Sequence, residues 1–245
     1  MIRRWGILMK RDMLYEGKAK KVYKTDNPYE VLIDYKDDAT AYNAEKKAVF
    51  AGKGHLNNEI SSILFTMLQE AGVDNHFIRK LSDTEQLVSA VTIVPIEVIV
   101  RNVAAGSMAK RLGLEEGTAL SQTIIEFCYK RDDLGDPLVT EDHIRELKLA
   151  TDSELEVIRQ HAAKVNEVLG AYFATLGIQL IDFKLEFGHK QENGQLVLAD
   201  EVSPDTCRLW DKQTGERLDK DVFRRGLGDL PITYQKLLER LEAAR

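Results

Sequence analysis

The chain has 245 residues, of which 44% are hydrophobic and 30% charged, a composition typical of an ordinary folded globular protein. Its formal net charge is −6, which argues against a nucleic-acid partner because such proteins usually carry a basic surplus that neutralises phosphate. No apolar run approaches the roughly 20 residues that span a bilayer, so no membrane partner is expected.

The cysteines and the N-terminus suggest where such a chain would work. Cys128 and Cys207 stand far apart and form no CxxC pair. A disulfide framework or a zinc site would need more cysteines or closer spacing, so we expect two reduced thiols in a cytoplasmic protein. Residues 1–12 hold a very short apolar run, too short for a signal-peptide core. We interpret these residues as a frayed N-terminal extension.

The first third of the chain is predicted to be β-rich. Gly17-Lys18-Ala19-Lys20 separates two apolar runs, and Asn27-Pro28 is a turn signal before a strand at 31–33. This pattern predicts a hairpin with Lys18 and Lys20 on one face, since residues two apart share a side of a strand. A glycine turn with lysines suits nucleotide phosphates. An ordinary exposed turn is the alternative.

The middle of the chain contains a helix and two strands. Apolar residues at helical spacing predict a helix over 57–71, and β-branched runs predict strands over 93–103 and 123–129. The first strand carries Arg101 and leads into a small-residue turn with Ser107. A guanidinium, a hydroxyl and free backbone donors suit a phosphate monoester or a carboxylate. A loop with incidental polar residues is an equal alternative.

The clearest helix and the most informative strand follow each other. The helix begins at Thr151, where Glu154 completes a capping box, and Gly177 ends it. The next strand, 178–187, alternates so that apolar residues occupy one face. The other face carries three ionisable residues, Asp182, Lys184 and Glu186. A solvent-facing charge ladder and a metal-binding face are the two interpretations.

A hairpin delivers a second acidic pair beside this face. Asn193-Gly194 is a turn signal, and the return strand ends at Asp200-Glu201. Mg²⁺ is held by one or two carboxylates together with nucleotide phosphates. A strict two-residue turn pairs Glu186 with Glu201 and puts Asp200 on the opposite face. Asp200 joins Glu186 only if the loop has an odd number of residues or a bulge intervenes.

The last part of the chain adds a polar cluster and a helix. Asp205 and Arg208 form the cluster, for which substrate binding and a buried structural ion pair are both open. A C-terminal helix is predicted over about 230–244.

Five segments, taken in order, closely resemble the SAICAR synthetase family of purine biosynthesis, and the resemblance runs from about Met13 to the C-terminus. The segments are LYEGKAKKVY (14–23), VPIEVIVRNVAAGSMAKRLG (94–113), GDPLVTEDH (135–143), LIDFKLEFG (180–188) and LADEVSPDTCRLWD (198–211).

The resemblance implies an α+β fold with two lobes and an ATP cleft between them, similar to kinase and ATP-grasp folds. An antiparallel N-terminal β-lobe over 13–93 would bind ATP, and a larger α+β lobe over 94–245 would bind the substrates and the metal. The implied reaction joins CAIR and L-aspartate, with ATP, to give SAICAR, ADP and phosphate through an acyl phosphate. A homo-oligomer is also expected.

The resemblance further implies roles for individual residues. Lys18, Lys184 and Asp182 would be catalytic, and Glu186 and Asp200 would hold Mg²⁺. The nucleotide contacts would be Gly17, Lys18, Ala19, Lys20, Val94, Lys130 and Lys184. The substrate contacts would be Asp38, Arg101, Ser107, Asp182, Asp205 and Arg208. The loop of Asp38 departs from some family members, which have an acid where this chain has Tyr42-Asn43.

Two other functions share the lysine turn and the acidic strands. A small-molecule kinase would release ADP without any need for aspartate. A nucleotide-binding regulatory module would bind ATP and form no ADP.

Overall fold

The computed structural model describes residues 10–41 and 45–244, and within them two large antiparallel sheets form two lobes. The predicted α+β fold with an N-terminal β-lobe is therefore confirmed. Most of the extension, residues 1–9, and the family departure at Tyr42-Asn43 lie outside the described residues.

The N-terminal lobe is a five-stranded antiparallel sheet in the order β1-β2-β3-β7-β6, with β4 and β5 forming a separate pair. Its elements are β1 (Met13–Glu16), β2 (Lys20–Lys24), β3 (Glu30–Tyr35), β4 (Asp38–Ala41), β5 (Lys46–Val49), α1 (Lys53–Glu70), β6 (Phe77–Lys80) and β7 (Glu85–Ser89).

Residues 10–12 belong to this lobe. The Arg11 N–H donates to the Lys24 carbonyl, and the Lys10 ammonium lies 2.8 Å from carboxylate oxygens of both Asp34 and Glu85. The expectation of a frayed extension is therefore wrong for these three residues.

The C-terminal lobe is a six-stranded sheet in which β10-β9-β8-β11-β12 are neighbours and β13 also pairs with β11. Its elements are β8 (Val91–Val103), α2 (Gly106–Leu112), β9 (Ala119–Tyr129), a 3₁₀ turn (Asp132–Leu134), β10 (Leu138–Val139), α3 (Glu141–Glu146), α4 (Asp152–Thr175), β11 (Ile178–Lys190), β12 (Leu196–Ala199), β13 (Cys207–Asp211), α5 (Asp221–Arg225) and α6 (Leu230–Ala243).

The predicted capping box at Thr151 and Glu154 starts α4. The apolar stripe of this helix, which includes Leu155, Ile158 and Phe173, is fully buried in the main core together with β8 and β11. Burial of such side chains contributes about 1.5–3 kcal/mol each. The core thus fixes the orientation of β11 and, with it, of the polar strand face.

Both faces of β11 are covered. Its apolar face packs in the core, and on the other face Asp182 and Glu186 are each only 3% exposed. The interpretation of this strand as a solvent-facing charge ladder is therefore wrong. Burying carboxylates is costly unless they are paired, which implies that cations meet them on that face.

The lobes are joined where β7 leads into β8, with only Ala90 between the two strands. Ala90, just before β8, donates its N–H to the Tyr29 carbonyl in the first sheet and accepts from the Gln191 N–H after β11. The β8–β11 register is interrupted where Glu186 pairs with Glu97 but Gly188 pairs with Ile93. The predicted lobe boundary between residues 93 and 94 falls within β8 and stays a prediction.

None of the helices in the described ranges is both long enough and apolar enough to cross a membrane.

Candidate active site

A cavity of about 920 Å³ lies between the two sheets; we call it the cleft. The turn before β2 lines one side, and the polar face of β11 with the segment after β12 lines the other. Its lining includes Gly17, Lys18, Ala19, Lys20, His76, Glu97, Lys130, Asp132, Lys184, Glu186, Asp200, Glu201 and Asp205.

Lys20 crosses the cleft to the acidic pair. Its ammonium contacts the Asp200 carboxylate and lies 3.1 Å from Glu201 Oε1. Although burial alone would lower the pKa of Lys20, the charges of Asp200 and Glu201 raise it above its ordinary value. Lys20 therefore remains a cation, which is the form that a phosphate contact requires.

Asp200 reaches the cleft by a route that strand alternation does not predict. Glu186 pairs with Ala199 and His189 with Leu196, while Lys190 N–H donates to the Gln195 carbonyl. The loop therefore spans residues 191–194, an even number. Asp200, just past the end of β12, has φ of 61°, a left-handed conformation uncommon outside glycine. This local twist, rather than an odd loop, brings Asp200 to Glu186.

Lys184 contacts three carboxylates of the cleft. Its Nζ lies 2.5 Å from Glu186 Oε1, 3.2 Å from Glu97 Oε1 and 3.3 Å from Asp200 Oδ2. Lys130 Nζ lies 2.8 Å from the same Glu186 oxygen. Burial alone would lower the pKa of Lys184, but Glu186, Asp200 and Glu97 raise it well above its ordinary value.

The Asp200 carboxylate is ionised as well. Burial would raise the pKa of Asp200, but the ammonium groups of Lys20, Lys184 and Lys130 hold it well below its usual range. The cleft thus concentrates three cations and several carboxylates in one partly enclosed place. Such a set can bind a polyphosphate together with a divalent cation.

Lys18, the other lysine of the turn, points to a different partner. Its Nζ lies 2.8 Å from Asp132 Oδ1, and both side chains are well exposed at the edge of the cleft. The two lysines of the predicted phosphate-binding turn therefore both border the cleft. Lys18 contacts the 3₁₀ turn of the second lobe, whereas Lys20 contacts the acidic pair.

Val94 and Asp38 are among the predicted site residues that do not line the cleft. The Val94 side chain is buried in the main core, so any contact of Val94 with a nucleotide base would come from its backbone. Asp38 lies on β4 with its carboxylate 3.5 Å from Lys36 Nζ, while Thr40 and Ala41 of that strand line the cleft. The predicted roles of Val94 and Asp38 stay predictions.

A second cavity of about 980 Å³ is lined by α2 and the side chains of Ser107 and Arg208, among others. Arg224 lines both cavities, so they adjoin each other. The predicted substrate residues Ser107 and Arg208 therefore lie together beside the cleft.

Arg101 and Asp182 lie behind this second cavity. Asp182 accepts from Arg101 Nη1 at 2.9 Å and from Arg208 Nη1 at 2.9 Å. Arg101 also donates to Glu126 Oε2 at 2.6 Å and to Ser107 Oγ at 3.4 Å. Arg101 is almost fully buried, so its guanidinium fork is engaged by protein groups and fixes the positions of Asp182 and Ser107.

Gly106 makes room for Arg208. Its φ is +54°, and a Cβ there would lie 2.5 Å from Arg208 Nη2.

We expect Gly106→Ala to lower the free energy of unfolding by about 2 kcal/mol more than Gly113→Ala does. Gly113 is also left-handed but has open space around the added carbon. Both variants lose about 1–2 kcal/mol to backbone strain. Only Gly106→Ala also displaces the Arg208 guanidinium, whose charge-assisted hydrogen bonds are worth about 1.5–3 kcal/mol. Urea denaturation measures both losses, and equal losses would contradict the steric interpretation.

Asp205 lies in a buried ionic cluster. Its Oδ2 accepts from Lys53 Nζ at 2.8 Å and from Lys220 Nζ at 3.2 Å, and its Oδ1 accepts from the Tyr234 hydroxyl at 2.5 Å. These contacts favour the buried ion pair that the sequence left open for Asp205. Its predicted contact with substrate stays a prediction.

Sequence reasoning missed several charged residues of the site. Glu97 had a usable signal, because it lies four residues before Arg101 on one strand and so shares its face. The burial of Lys53 and Lys220 had no signal in the sequence, since a lysine near a helix start is normally exposed.

His76 also lines the cleft. Burial and the neighbouring Lys20 ammonium lower the pKa of His76 to about 3, so it is a neutral imidazole.

Comparison with known proteins agrees with this geometry. The family model of SAICAR synthetase matches residues 13–241. A protein of Anoxybacillus flavithermus named phosphoribosylaminoimidazole-succinocarboxamide synthase is 63% identical over 232 residues, which is 95% of this chain and 96% of the relative. A protein of the same name from Halalkalibacterium halodurans is 58% identical over 95% of this chain and 98% of its own length.

Solved structures show the same fold. The crystal structure of phosphoribosylaminoimidazole-succinocarboxamide synthase from Ehrlichia chaffeensis superposes with a TM-score of 0.92 at 48% identity, covering 95% of this chain and 99% of the other. A SAICAR synthetase in complex with ADP superposes with a TM-score of 0.90 at 47% identity, covering 94% and 97%. The matches span nearly the whole of each chain, and the chain belongs to the SAICAR synthetase family.

Proposed function

We propose that this chain is an ATP-dependent ligase that condenses CAIR, a phosphoribosyl-imidazole carboxylate, with L-aspartate to give SAICAR, ADP and phosphate. The observation that carries the proposal is the convergence of Lys20, Lys130 and Lys184 with Glu186 and Asp200 in one cleft. The named activity of the relatives supports it.

The cleft is the nucleotide site. A related SAICAR synthetase has been solved with ADP, and the Gly17-Lys18-Ala19-Lys20 turn offers backbone and two cations to phosphate oxygens. Lys130 and Lys184 add charge from the opposite lobe. The apolar wall at Val31, Ile33 and Ile93 suits a nucleotide base, which stacks well on hydrophobic side chains.

The donor set also fits Mg²⁺. Glu186 and Asp200 both contact Lys184 Nζ, so their carboxylates are turned to the same part of the cleft. Two carboxylates together with nucleotide phosphates are a usual way of holding Mg²⁺. Bound there, the ion would neutralise charge on the β- and γ-phosphates.

The second cavity is the ribonucleotide site. Arg208 and Ser107 line it. Because Arg208 Nε and Nη1 donate to Asp221 and Asp182, Arg208 would bind a phosphate or a carboxylate through its Nη2 group, together with the Ser107 hydroxyl. Arg101 and Asp182 orient these two residues from behind. Because the two cavities adjoin at Arg224, the CAIR carboxylate can approach the γ-phosphate.

The chemistry follows from this juxtaposition. A carboxylate oxygen of CAIR attacks the γ-phosphorus, the bond from that phosphorus to the ADP oxygen breaks, and an acyl phosphate forms. The neutral amine of aspartate then attacks the acyl carbon, the attacking nitrogen loses one proton to solvent, and inorganic phosphate leaves with the former carboxylate oxygen. Phosphoryl transfer mainly needs alignment and charge neutralisation, which Lys18, Lys20 and Lys184 provide. A closed cleft protects the acyl phosphate from water.

The first test is ADP release by the purified protein with ATP, Mg²⁺ and CAIR, with and without L-aspartate. We expect aspartate-dependent release of ADP together with a succinocarboxamide product detected by mass spectrometry. ADP release that is indifferent to aspartate would favour a kinase. ATP binding without ADP formation under any substrate combination would favour a regulatory module.

The cytoplasmic location and the homo-oligomer expected from the sequence belong to this proposal as well. Sedimentation equilibrium of the purified protein tests the oligomer.

A further inference from the structure

The two neighbouring acids after β12 have different surroundings. Asp200 faces the cleft and touches both Lys20 and Lys184. Glu201 is more deeply buried, at 4% exposure, and the contacts of its two oxygens are with Lys20 and Ser203. Its Oε1 lies 3.1 Å from Lys20 Nζ, and its Oε2 accepts from Ser203 Oγ at 2.5 Å.

The Ser203 hydroxyl is itself fixed. It accepts from the Asp205 N–H at 3.1 Å while it donates to Glu201. The backbone here is a tight turn in which the N–H groups of Thr206 and Cys207 both donate to the Ser203 carbonyl. Glu201 is therefore held in one position by a rigid turn rather than by solvent.

This difference matters when a nucleotide and a cation enter the cleft. A cation bound by Asp200 draws that carboxylate away from the Lys20 ammonium, because one carboxylate cannot neutralise both charges fully. Lys20 would then be a largely buried ammonium, which is unfavourable unless another anion is close. Glu201 is that anion, and its hydrogen bond to Ser203 keeps it beside Lys20.

We propose that Glu201 is a positioning residue, which holds the Lys20 ammonium in place for the nucleotide phosphates and takes no part in binding the metal. The proposal rests on the proposed nucleotide site in the cleft. It resolves the alternative between Asp200 and Glu201 by giving the two acids separate tasks, with Asp200 for the cation and Glu201 for the lysine.

The test is the binding of ADP, measured by titration calorimetry in EDTA so that no divalent cation contributes. We expect Glu201→Gln to weaken ADP binding about tenfold even without a cation, because Asp200 is shared between Lys20 and Lys184 and does not by itself fix the Lys20 ammonium. A misplaced ammonium loses its alignment with the phosphates. In a Lys20→Met background the same substitution should change ADP binding less than twofold, since the residue acts only through Lys20. Ser203→Ala should weaken binding in the same direction by about threefold.

A second measurement distinguishes the proposed role of Asp200 from that of Glu201. Mn²⁺ binding to the ADP complex, followed by electron paramagnetic resonance, should be strongly weakened by Asp200→Asn and little changed by Glu201→Gln once ADP is saturating. A Glu201→Gln variant that loses Mn²⁺ affinity but binds ADP normally in EDTA would overturn the proposal. Equal effects in the wild-type and Lys20→Met backgrounds would also overturn it.

Thermal unfolding of each variant verifies that the fold persists, and Ser203→Ala keeps the test available if Glu201→Gln does not fold. The binding readouts need neither CAIR nor aspartate. Failure of the ligase assay therefore leaves this result interpretable, and a lack of ADP binding by the wild-type chain would reject the nucleotide site itself.

Discussion

We expect the Glu186→Gln variant to lose about 10³-fold in kcat while it keeps its fold. A divalent cation supplies several kcal/mol of charge stabilisation to a reaction of this kind, and each 1.36 kcal/mol corresponds to a tenfold change in rate. The substitution keeps the shape of a side chain that contacts Lys130 and Lys184 and removes only its charge. Asp200→Asn should behave similarly. Steady-state kinetics over a range of Mg²⁺ concentrations measure both.

Glu97→Gln is the matched control. Glu97 is also a largely buried acid beside Lys184 Nζ, but it is not one of the proposed ligands. Its loss should lower kcat by only about tenfold, the effect of a less well positioned lysine. A Glu186→Gln variant with near-normal turnover at saturating Mg²⁺, or one no worse than Glu97→Gln, would reject the metal assignment.

The second large effect is on stability. We expect Asp205→Asn to lower the free energy of unfolding by about 3–5 kcal/mol, because the substitution leaves buried ammonium groups without their counter-charge. Lys53 is fully buried, and its Nζ contacts Asp205 at 2.8 Å. Urea denaturation at pH 7 measures the loss. Removing the buried cation as well, in Lys53→Met/Asp205→Asn, should restore a large part of it.

The same variant gives a pH dependence of known sign. Burial would raise the pKa of Asp205, but the charges of Lys220 and Lys53 hold it well below its ordinary value in the folded protein. The carboxylate therefore contributes stability at pH values above its unfolded pKa of about 3.9, and this contribution is lost as the pH falls toward the folded pKa. The difference between wild type and Asp205→Asn should be constant from about pH 5 to 8 and shrink below about pH 4. A difference that grows on acidification would contradict the ion-pair interpretation.

The sequence predicted the polar face of β11 correctly because strand alternation is a local property. Asp182, Lys184 and Glu186 share a face whatever the rest of the fold does. The sequence could not decide between Asp200 and Glu201, since alternation assumes extended backbone. The left-handed conformation of Asp200 breaks that assumption at the first residue beyond β12.

The sequence also did not predict which charged side chains are buried. The predicted contact of Arg101 and Asp182 with substrate stays a prediction. The sequence did not show that Arg101 is also engaged by Asp182, Glu126 and Ser107. Lys53 gave no sign of burial in the sequence. Whether a charged side chain is covered depends on which distant segment carries its partner, as Asp205 does for Lys53 across 152 residues. Spacing within one strand or helix contains no such information.

The continuity of β8 has a mechanical consequence. The strand pairs with β11 from Val91 onward, and Ala90 is bonded to both sheets. The lobes are thus joined by a paired ribbon rather than by a loose tether. Gly188 allows close contact of that ribbon, since a Cβ there would lie 3.0 Å from the Val91 side chain. Any change in the width of the cleft is therefore expected to come from twisting of this ribbon, whose pairing is least regular where the register is interrupted between Ile93 and Glu97. Such a movement changes the cleft opening while the β11 face, and the charges on it, keep their spacing.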